Sequence, residues 1–480
     1  MTQTPTLPHT KIVATIGPAT DSVAAIDALL NAGMRVARIN CAHSAGDQLA
    51  RMVDRLRVCA ERTATPLAIL ADLGGPKLRI GRFQTGAVEV ARGETFILTT
   101  ADVLGTAERV SVNHPALPRE VRPGEAIYLN DGLIALEVTG TSETEVHTRV
   151  EVGGELSDLK GLNAPTANLT MSTLTVRDEL ALDRLAACGV DYVGLSFVRS
   201  EADLARLREA LAARRATTAI VAKIERAQAI DRLDAIVRSA DAVMVARGDL
   251  GVECRIEEVP VLQKRIIQRC NQMGVPVITA TQMLESMVSS ARPTRAEASD
   301  VANAVLDGTD AVMLSAETAV GRHPIEAVRV MSRILSTSEA FARRDAARLL
   351  TSPADDAGTD AGAAIGRSAC MAAHSVRAQA IVCLTQSGTT ARQVARWRPE
   401  QPVLAVTPRP ETGCRLALVW GVEPILAEEF DTDFDAACMR IIRRLREQGR
   451  LSSARPVVVT AGLPFARRRG TNTVRIETLE

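Results

Sequence analysis

The stretch AIVAKIERAQAIDRLDAIVRSADAVMVARGDLGVE, residues 219–253, decides the fold. It contains two short apolar runs, 219–224 and 242–246, of the kind that fully buried parallel strands need, with a helical segment over 228–239 between them. Each run stops abruptly in charged residues: Lys223 and Glu225 after the first, Arg247 and Asp249 after the second. A lysine and two carboxylates cannot stay ionised in a core without partners, because burying an unpaired charge is costly. The favourable resolution is a site where the carboxylates hold a divalent cation and the lysine faces an anion.

Outward from this stretch the same unit repeats. Towards the N-terminus, KIVATIG (11–17) reads as a strand, Asp21 or Ser22 caps a helix that Gly33 stops, and VARINCA (36–42) is the second strand. A helix over 47–62 leads to LAILADL (67–73). After Gly74, Gly75 and Pro76 the helical period vanishes until about Leu174. Segments such as VEVARGETFIL (88–98) and IYLNDGLIALEV (127–138) alternate between turn residues there, the pattern of an all-β insertion. The α/β rhythm then resumes with helices over 178–188, 201–213, 258–273, 295–307 and 324–340 and strands over 192–197, 276–281 and 311–316; Thr294 and Glu297 form a capping box.

Eight strand–helix units predict a closed (β/α)8 TIM barrel with its chemistry at the C-terminal strand ends; an open doubly wound sheet is the competitor on pattern alone. The linker-like TSPADDAGTDAGA (351–363) precedes strands over 380–385, 402–407 and 456–462 and helices over 390–397 and 433–448, a smaller α/β domain. The expected division is residues 1–74 with 175–345 for the barrel, 75–174 for a β-barrel lid and 356–480 for the C-terminal domain.

Composition narrows the function. The 480 residues carry 57 basic and 57 acidic side chains, so global charge gives no reason to expect nucleic acid or a membrane surface as partner. Aromatic residues make up 2%, too few for base-stacking platforms. The nine cysteines form no CxxC pair, the N-terminal residues have no apolar signal core, and no run of about eighteen apolar residues occurs, so the reading is a cytoplasmic protein with reduced thiols.

Polar residues collect at the C-terminal ends of the predicted barrel strands while the opposite ends lack them. They are Arg38, Asn40 and His43; Asp72 with Lys77 and Arg79 beyond; Lys223 and Glu225; Arg247 and Asp249; Thr281 and Gln282; Ser315 and Glu317. Any one of them is equally an ordinary solvated strand end. Together they suit a metal-bridged, phosphorylated substrate, with carboxylates for Mg2+ and cations for phosphoryl oxygens.

The motifs KIVATIGPAT, MRVARINCAHS, VAKIER, MVARGDLGVE, TATQMLESM, RPTRAEASDVANAVLDGTDAVMLSAET and HPIEAV together resemble pyruvate kinase, from about Lys11 to the end of the chain and most densely over 219–327. The resemblance implies a barrel with a lid inserted after strand three and a C-terminal regulatory domain. It implies that Lys223 stabilises the phosphoryl group moving between phosphoenolpyruvate and ADP, and that Glu225 and Asp249 ligate Mg2+, for which Mn2+ substitutes. Arg38 and Arg79 would bind phosphate oxygens, and Asn40, His43 and the lid residue Lys160 would serve the nucleotide. Thr281 would line the face where the enolate is protonated, with Ser315 and Glu317 relaying water and protons there. Asp131 is either a lid residue near the cleft or simply part of the hairpin turn Asn130–Asp131–Gly132. A homotetramer is also implied.

The chain departs from the family pattern around the monovalent-cation region, Asn40, Asp72 and Lys77. Many members hold K+ through a serine that is Ala42 here and carry a glutamate where Lys77 stands, so K+ is not expected to be required; Gly74 replaces a longer residue. In the C-terminal domain the run Thr385, Gln386, Ser387, Gly388, Thr389 and Thr390 matches the family's effector loop, and Arg467, Arg468 and Arg469 lie in a second loop, which predicts a sugar-phosphate or nucleotide activator. Helix capping alone also accounts for the threonine loop. Two other functions compete. One is a metal-dependent carbon–carbon lyase, which would need no nucleotide residues. The other is an inactive regulatory binder, against which the intact Lys223, Glu225, Asp249 and Thr281 speak.

Overall fold

The computed structural model of the chain describes residues 7–42, 48–167, 169–342, 361–427, 433–452, 455–464 and 470–478. Eight parallel strands close into a TIM barrel: β1 (Lys11–Ile16), β2 (Met34–Asn40), β3 (Ala68–Asp72), β4 (Tyr192–Leu195), β5 (Ala219–Ile224), β6 (Ala242–Ala246), β7 (Val277–Ala280) and β8 (Ala311–Leu314). Neighbours in sequence are neighbours in the barrel, and β8 pairs back onto β1 with Lys11 opposite Ala311, which excludes the open sheet. Alternate residues serve different cores. Val13, Val36, Leu70, Val221, Met244 and Ile278 pack in the barrel interior, whereas Ile12, Ile39, Ile69, Val193, Ile220 and Val243 meet the surrounding helices. Both faces are therefore apolar, which is why each strand reads as an unbroken hydrophobic run.

Helix starts follow local chemistry. The Ser22 hydroxyl accepts the Ala25 N–H, and Thr294 with Glu297 closes the expected capping box. The helix expected over 228–239 is two pieces, Ala227–Asp231 and Leu233–Ser239, broken at Arg232.

Between β3 and the fourth barrel strand the chain builds the all-β unit, a six-stranded and a two-stranded sheet around Phe96, Leu98, Val110, Ile127 and Leu136. The exit from β3 needs glycine at one place. Gly75 has φ +64°, and a Cβ there would stand 2.9 Å from the Ser196 Cβ.

The C-terminal sheet has the order β11 (Val422–Leu426), β10 (Val403–Thr407), β9 (Ile381–Leu384), β12 (Val457–Ala461), β13 (Thr473–Glu477), with β13 antiparallel. Sequence reading missed β11 and β13. Pro424 disguises β11, and a proline is tolerated there because β11 is an edge strand. The last three residues of the expected linker open the helix Ala361–Ser375 instead, where Gly366 lets the backbone of Gln393 approach; the rest of the linker lies outside the described residues.

The N-terminal ends of the barrel strands are not free of charge, contrary to expectation. Asp191, Asp241 and Asp310 each precede a strand and accept a backbone N–H from the strand beside it, at Ile69 (2.7 Å), Ile220 (2.8 Å) and Val277 (3.0 Å). This end also docks the C-terminal domain. Arg398 bonds both carboxylate oxygens of Asp310 at 2.9 and 3.2 Å, Tyr192 donates to the Arg415 carbonyl, and Ala417 and Leu418 cap the barrel interior. Charge at the floor is thus structural.

Candidate active site

At the opposite end, β5 raises Lys223 into a ring of polar groups. Its Nζ lies 2.9 Å from Glu225 Oε1, 3.2 Å from Asp72 Oδ1 and 2.7 Å from Ser196 Oγ. Arg38 on β2 grips Asp72 Oδ2 through Nε (2.8 Å) and Nη2 (2.7 Å), and its Nη1 donates to Thr15 Oγ1. Burial by itself would lower the Lys223 ammonium pKa, but Asp72 and Glu225 outweigh it and hold the group above its ordinary value. Burial would likewise raise Asp72, yet Lys223 and Arg38 keep it below the usual carboxylate range. Glu225 behaves differently: burial pushes it up to about 7, with Lys223 pulling down and Asp249 pushing further up. The Phe197 N–H donates to Glu225 Oε2 at 2.7 Å. One lysine and one arginine therefore sit between two carboxylates fixed by strand ends, of which Glu225 is held up mainly by its burial.

Asp249 does not extend a strand. β6 stops at Ala246, and Arg247–Glu253 form a helical turn that carries Asp249 to the rim, where Lys77 Nζ lies 3.6 Å from its Oδ1. Arg38, Asn40, Asp72, Lys77, Arg79, Lys223, Glu225 and Asp249 line one cleft of about 430 Å³ between the barrel and the all-β unit. Asn40 Oδ1 accepts the Ala42 N–H, and Arg79 donates to the Leu159 carbonyl. Ala42 and Gly74 are neighbours: a Cβ on Gly74 would lie 3.3 Å from the Ala42 Cβ.

The cleft also contains residues that sequence reading missed: Asn113, Thr175, Arg177, Asp178, Ser196 and Phe197. Ser196 and Phe197 directly follow β4, the strand whose end had been given no polar group, so the strand-end rule itself could have found Ser196. Thr175 and Asp178 form the capping box of the helix Val176–Cys188, whose start had been expected at 178.

Other expected site residues do not line the cleft. Thr281 has φ +72°, a conformation that costs a β-branched residue of order 1–3 kcal/mol. Its hydroxyl donates to the Ala280 carbonyl and accepts the Gly248 N–H at 2.8 Å, so it holds the turn bearing Asp249. Arg247 is turned away from the cleft to Asp300 and to the carbonyls of Ala280 and Thr281. Glu317 is fully buried and accepts the N–H groups of Leu284 and Ser315, tying together the loops after β7 and β8. The Lys160 carbonyl accepts the Ile80 N–H in the all-β unit. Asn130 and Asp131 have positive φ and form the turn before the strand Ile134–Thr141. His43 lies outside the described residues.

Among the described residues no cluster of three or more His, Cys, Asp or Glu side chains could cage a metal. Two carboxylates lining one cleft are nonetheless a fitting partial donor set for Mg2+, a hard cation that would take its other oxygen ligands from substrate and water. Glu225 and Asp249 line the same cleft, and a cation between them would offset the charge by which Asp249 helps to push Glu225 up.

Residues 7–328 match the family described as pyruvate kinase, barrel domain, and residues 363–477 match pyruvate kinase, alpha/beta domain. The chain belongs to the pyruvate kinase family. It is 42% identical over 474 residues to the pyruvate kinase of Geobacillus stearothermophilus, covering 98% of this chain and 80% of that protein. It is 39% identical over 467 residues to that of Thermotoga maritima, covering 97% and 98% of the two chains. A crystal structure of a pyruvate kinase from Cryptosporidium parvum superposes with a TM-score of 0.93 at 32% identity, covering 98% of this chain and 96% of that one. The chain is thus an enzyme, a phosphotransferase of glycolysis, and the lyase and inactive-binder readings fall away.

The second loop of the C-terminal domain, with Arg467, Arg468 and Arg469, is outside the described residues. In the first loop Thr385 and Thr390 turn inward: Thr385 Oγ1 accepts the Gly388 N–H, and the Thr390 hydroxyl pairs with Thr471. Ser387 and Thr389 lie 3.0 Å apart at the exposed face. Among the described residues no helix is long and apolar enough to cross a membrane.

Proposed function

We propose that this enzyme transfers the phosphoryl group of phosphoenolpyruvate to ADP, giving pyruvate and ATP, in the cleft around Lys223. The observation that carries the reading is the placement of Lys223 and Arg38 on adjacent carboxylates at rigid strand ends. Phosphoryl transfer needs positioned positive charge more than covalent chemistry. Lys223 is the cation aligned with the moving phosphoryl group, and Arg38 and Arg79 face its oxygens. Glu225 and Asp249 hold Mg2+ or Mn2+, which when bound supplies charge to the substrate carboxylate and enolate oxygen. Asn40, His43 and Lys160 serve the nucleotide. Thr281, Ser315 and Glu317 shape the proton-delivery side, Thr281 through the turn that it anchors. The test is Lys223→Met, which removes the ammonium and is expected to abolish the transfer.

The enzyme works without K+. Ala42 lacks the hydroxyl that would ligate a monovalent ion, and Lys77 brings a fixed ammonium to the same cleft, 3.6 Å from Asp249. Replacing K+ by Na+ or tetramethylammonium is expected to change the rate by less than about twofold. Many-fold activation by K+ would contradict the assignment.

A sugar phosphate or nucleotide activates the enzyme through the loop Thr385–Thr390, supported by its resemblance to the family's effector loop. Ser387 and Thr389 present its exposed hydroxyls, with Gly388 between them. Thr389→Ala is expected to raise the activator concentration needed for half-maximal effect while leaving unactivated turnover intact. A substrate saturation curve unmoved by phosphorylated metabolites would remove the proposal. The exposed Ile256 and Val261 beside the barrel, and Ile476 on the edge strand β13, fit assembly into a homotetramer. Nine free cysteines suit a cytoplasmic protein.

A further inference from the structure

Glu253 stands outside the cleft lining and is 5% exposed. It closes the helical turn Arg247–Glu253, four residues after Asp249 and therefore one turn beyond it. Its carboxylate reaches two other parts of the site. Oε1 accepts from Asn163 Nδ2 at 2.9 Å, and Oε2 lies 3.6 Å from Arg226 Nη1.

Each of these partners leads to the chemistry. Asn163 belongs to the strand Leu162–Asn163 of the all-β unit. The adjoining residues of that ladder are Leu162, whose N–H donates to the Leu78 carbonyl, and Gly161, which bridges to Arg79. The same edge carries Lys77 and Arg79 into the cleft. Arg226 follows Glu225 in the chain, is 7% exposed, and its guanidinium lies 5.3 Å from the ring centre of Phe197. The Phe197 N–H is the donor to Glu225. A second contact parallels the first: Val252 packs near Gly132 in the turn of the all-β unit.

A buried carboxylate between an amide and a guanidinium is held firmly: without the guanidinium its charge is uncompensated, and without the amide one oxygen loses its donor. One side chain thus grips the lid edge, the turn of Asp249 and the end of β5.

We propose that Glu253 is a positioning residue that couples the seating of the lid on the barrel to the placement of the two metal-binding carboxylates, Asp249 through their shared turn and Glu225 through Arg226. The inference rests on the assignment of Glu225 and Asp249 as Mg2+ ligands. It requires that breaking the Asn163–Glu253 bond from the lid side alone, at a residue that lines no part of the cleft, disturbs Mg2+ use.

The experiment compares Asn163→Ala, Asn163→Asp, Glu253→Gln and the double variant Asn163→Ala/Glu253→Gln, all as full chains with thermal midpoints recorded. Asn163→Ala is expected to lower kcat and raise the Mg2+ concentration for half-maximal rate by about tenfold, the size typical of residues that orient metal ligands, in a chain that stays folded with a modestly lower melting temperature. Asn163→Asp, which sets a like charge against Glu253, is expected to lose more than Asn163→Ala. The double variant should be no worse than Glu253→Gln, because both changes cut one connection. Unchanged Mg2+ saturation in Asn163→Ala and Asn163→Asp, or losses that multiply in the double variant, would overturn the coupling. Should Asp249→Asn itself leave Mg2+ saturation untouched, the ligand assignment fails first, and the coupling with it.

Discussion

Lys223→Met is expected to abolish phosphoryl transfer, by about a thousandfold or more, while exchange of the pyruvate methyl protons with solvent survives in part. Methionine keeps the length and apolar stem of the side chain and removes only the ammonium. That ammonium is ion-paired with Asp72 and Glu225 and hydrogen-bonded to Ser196, which makes it the cation that the proposed mechanism aligns with a phosphoryl group in flight. The proposed metal carboxylates and proton-delivery residues stand on other strand ends and turns or keep other contacts, Glu225 through the Phe197 N–H, so the second half-reaction is expected to keep its parts. The variant will also be less stable: Glu225 loses its positive partner, and a buried carboxylate so deprived costs about 3–5 kcal/mol unless it takes up a proton. Asp72 keeps Arg38 and is affected less. Parallel loss of proton exchange and transfer in a folded variant would show that Lys223 supports the site rather than the transfer.

Asp249→Asn carries the second large effect. Its side chain is 31% exposed and only loosely paired with Lys77, so the fold tolerates the change. Losing one of the two proposed carboxylate ligands is expected to raise the Mg2+ concentration for half-maximal rate by at least about tenfold and to lower kcat/KM by about a hundredfold or more. Glu225→Gln should act in the same direction with an added cost, because Glu225 is 1% exposed and its charge also balances Lys223. If Asp249→Asn saturates with Mg2+ as the parent enzyme does, the metal is held elsewhere.

How much of this was legible in the sequence depends on the period of each signal. Barrel strands announce themselves because both faces are buried, so 219–224 and 242–246 coincide with β5 and β6. The strand-end rule led to Arg38, Asp72, Lys223 and Glu225, since a charge that interrupts a doubly buried strand must go to the cleft. It misled at Arg247, where the turn after β6 rotates the guanidinium down onto Asp300, and the helical nature of that turn is invisible in a seven-residue segment with two glycines. The floor carboxylates Asp191, Asp241 and Asp310 sit one residue before their strands and read as loop polarity, although they bond neighbouring strands. Arg177 and Asn113 come from separate segments that only tertiary packing brings to the cleft, whereas Ser196, just past β4, was within reach of the strand-end rule. The edge strand β11 was hidden by Pro424, whose missing N–H costs nothing where no further strand follows.

The most direct test of the whole account is the release of pyruvate from phosphoenolpyruvate by the purified full-length chain, measured together with ATP, with ADP and Mg2+ each supplied or withheld. The site described here predicts pyruvate and ATP in equal amounts when both are present and neither product when either is left out. Pyruvate released without ADP, or no transfer with both supplied, would contradict it.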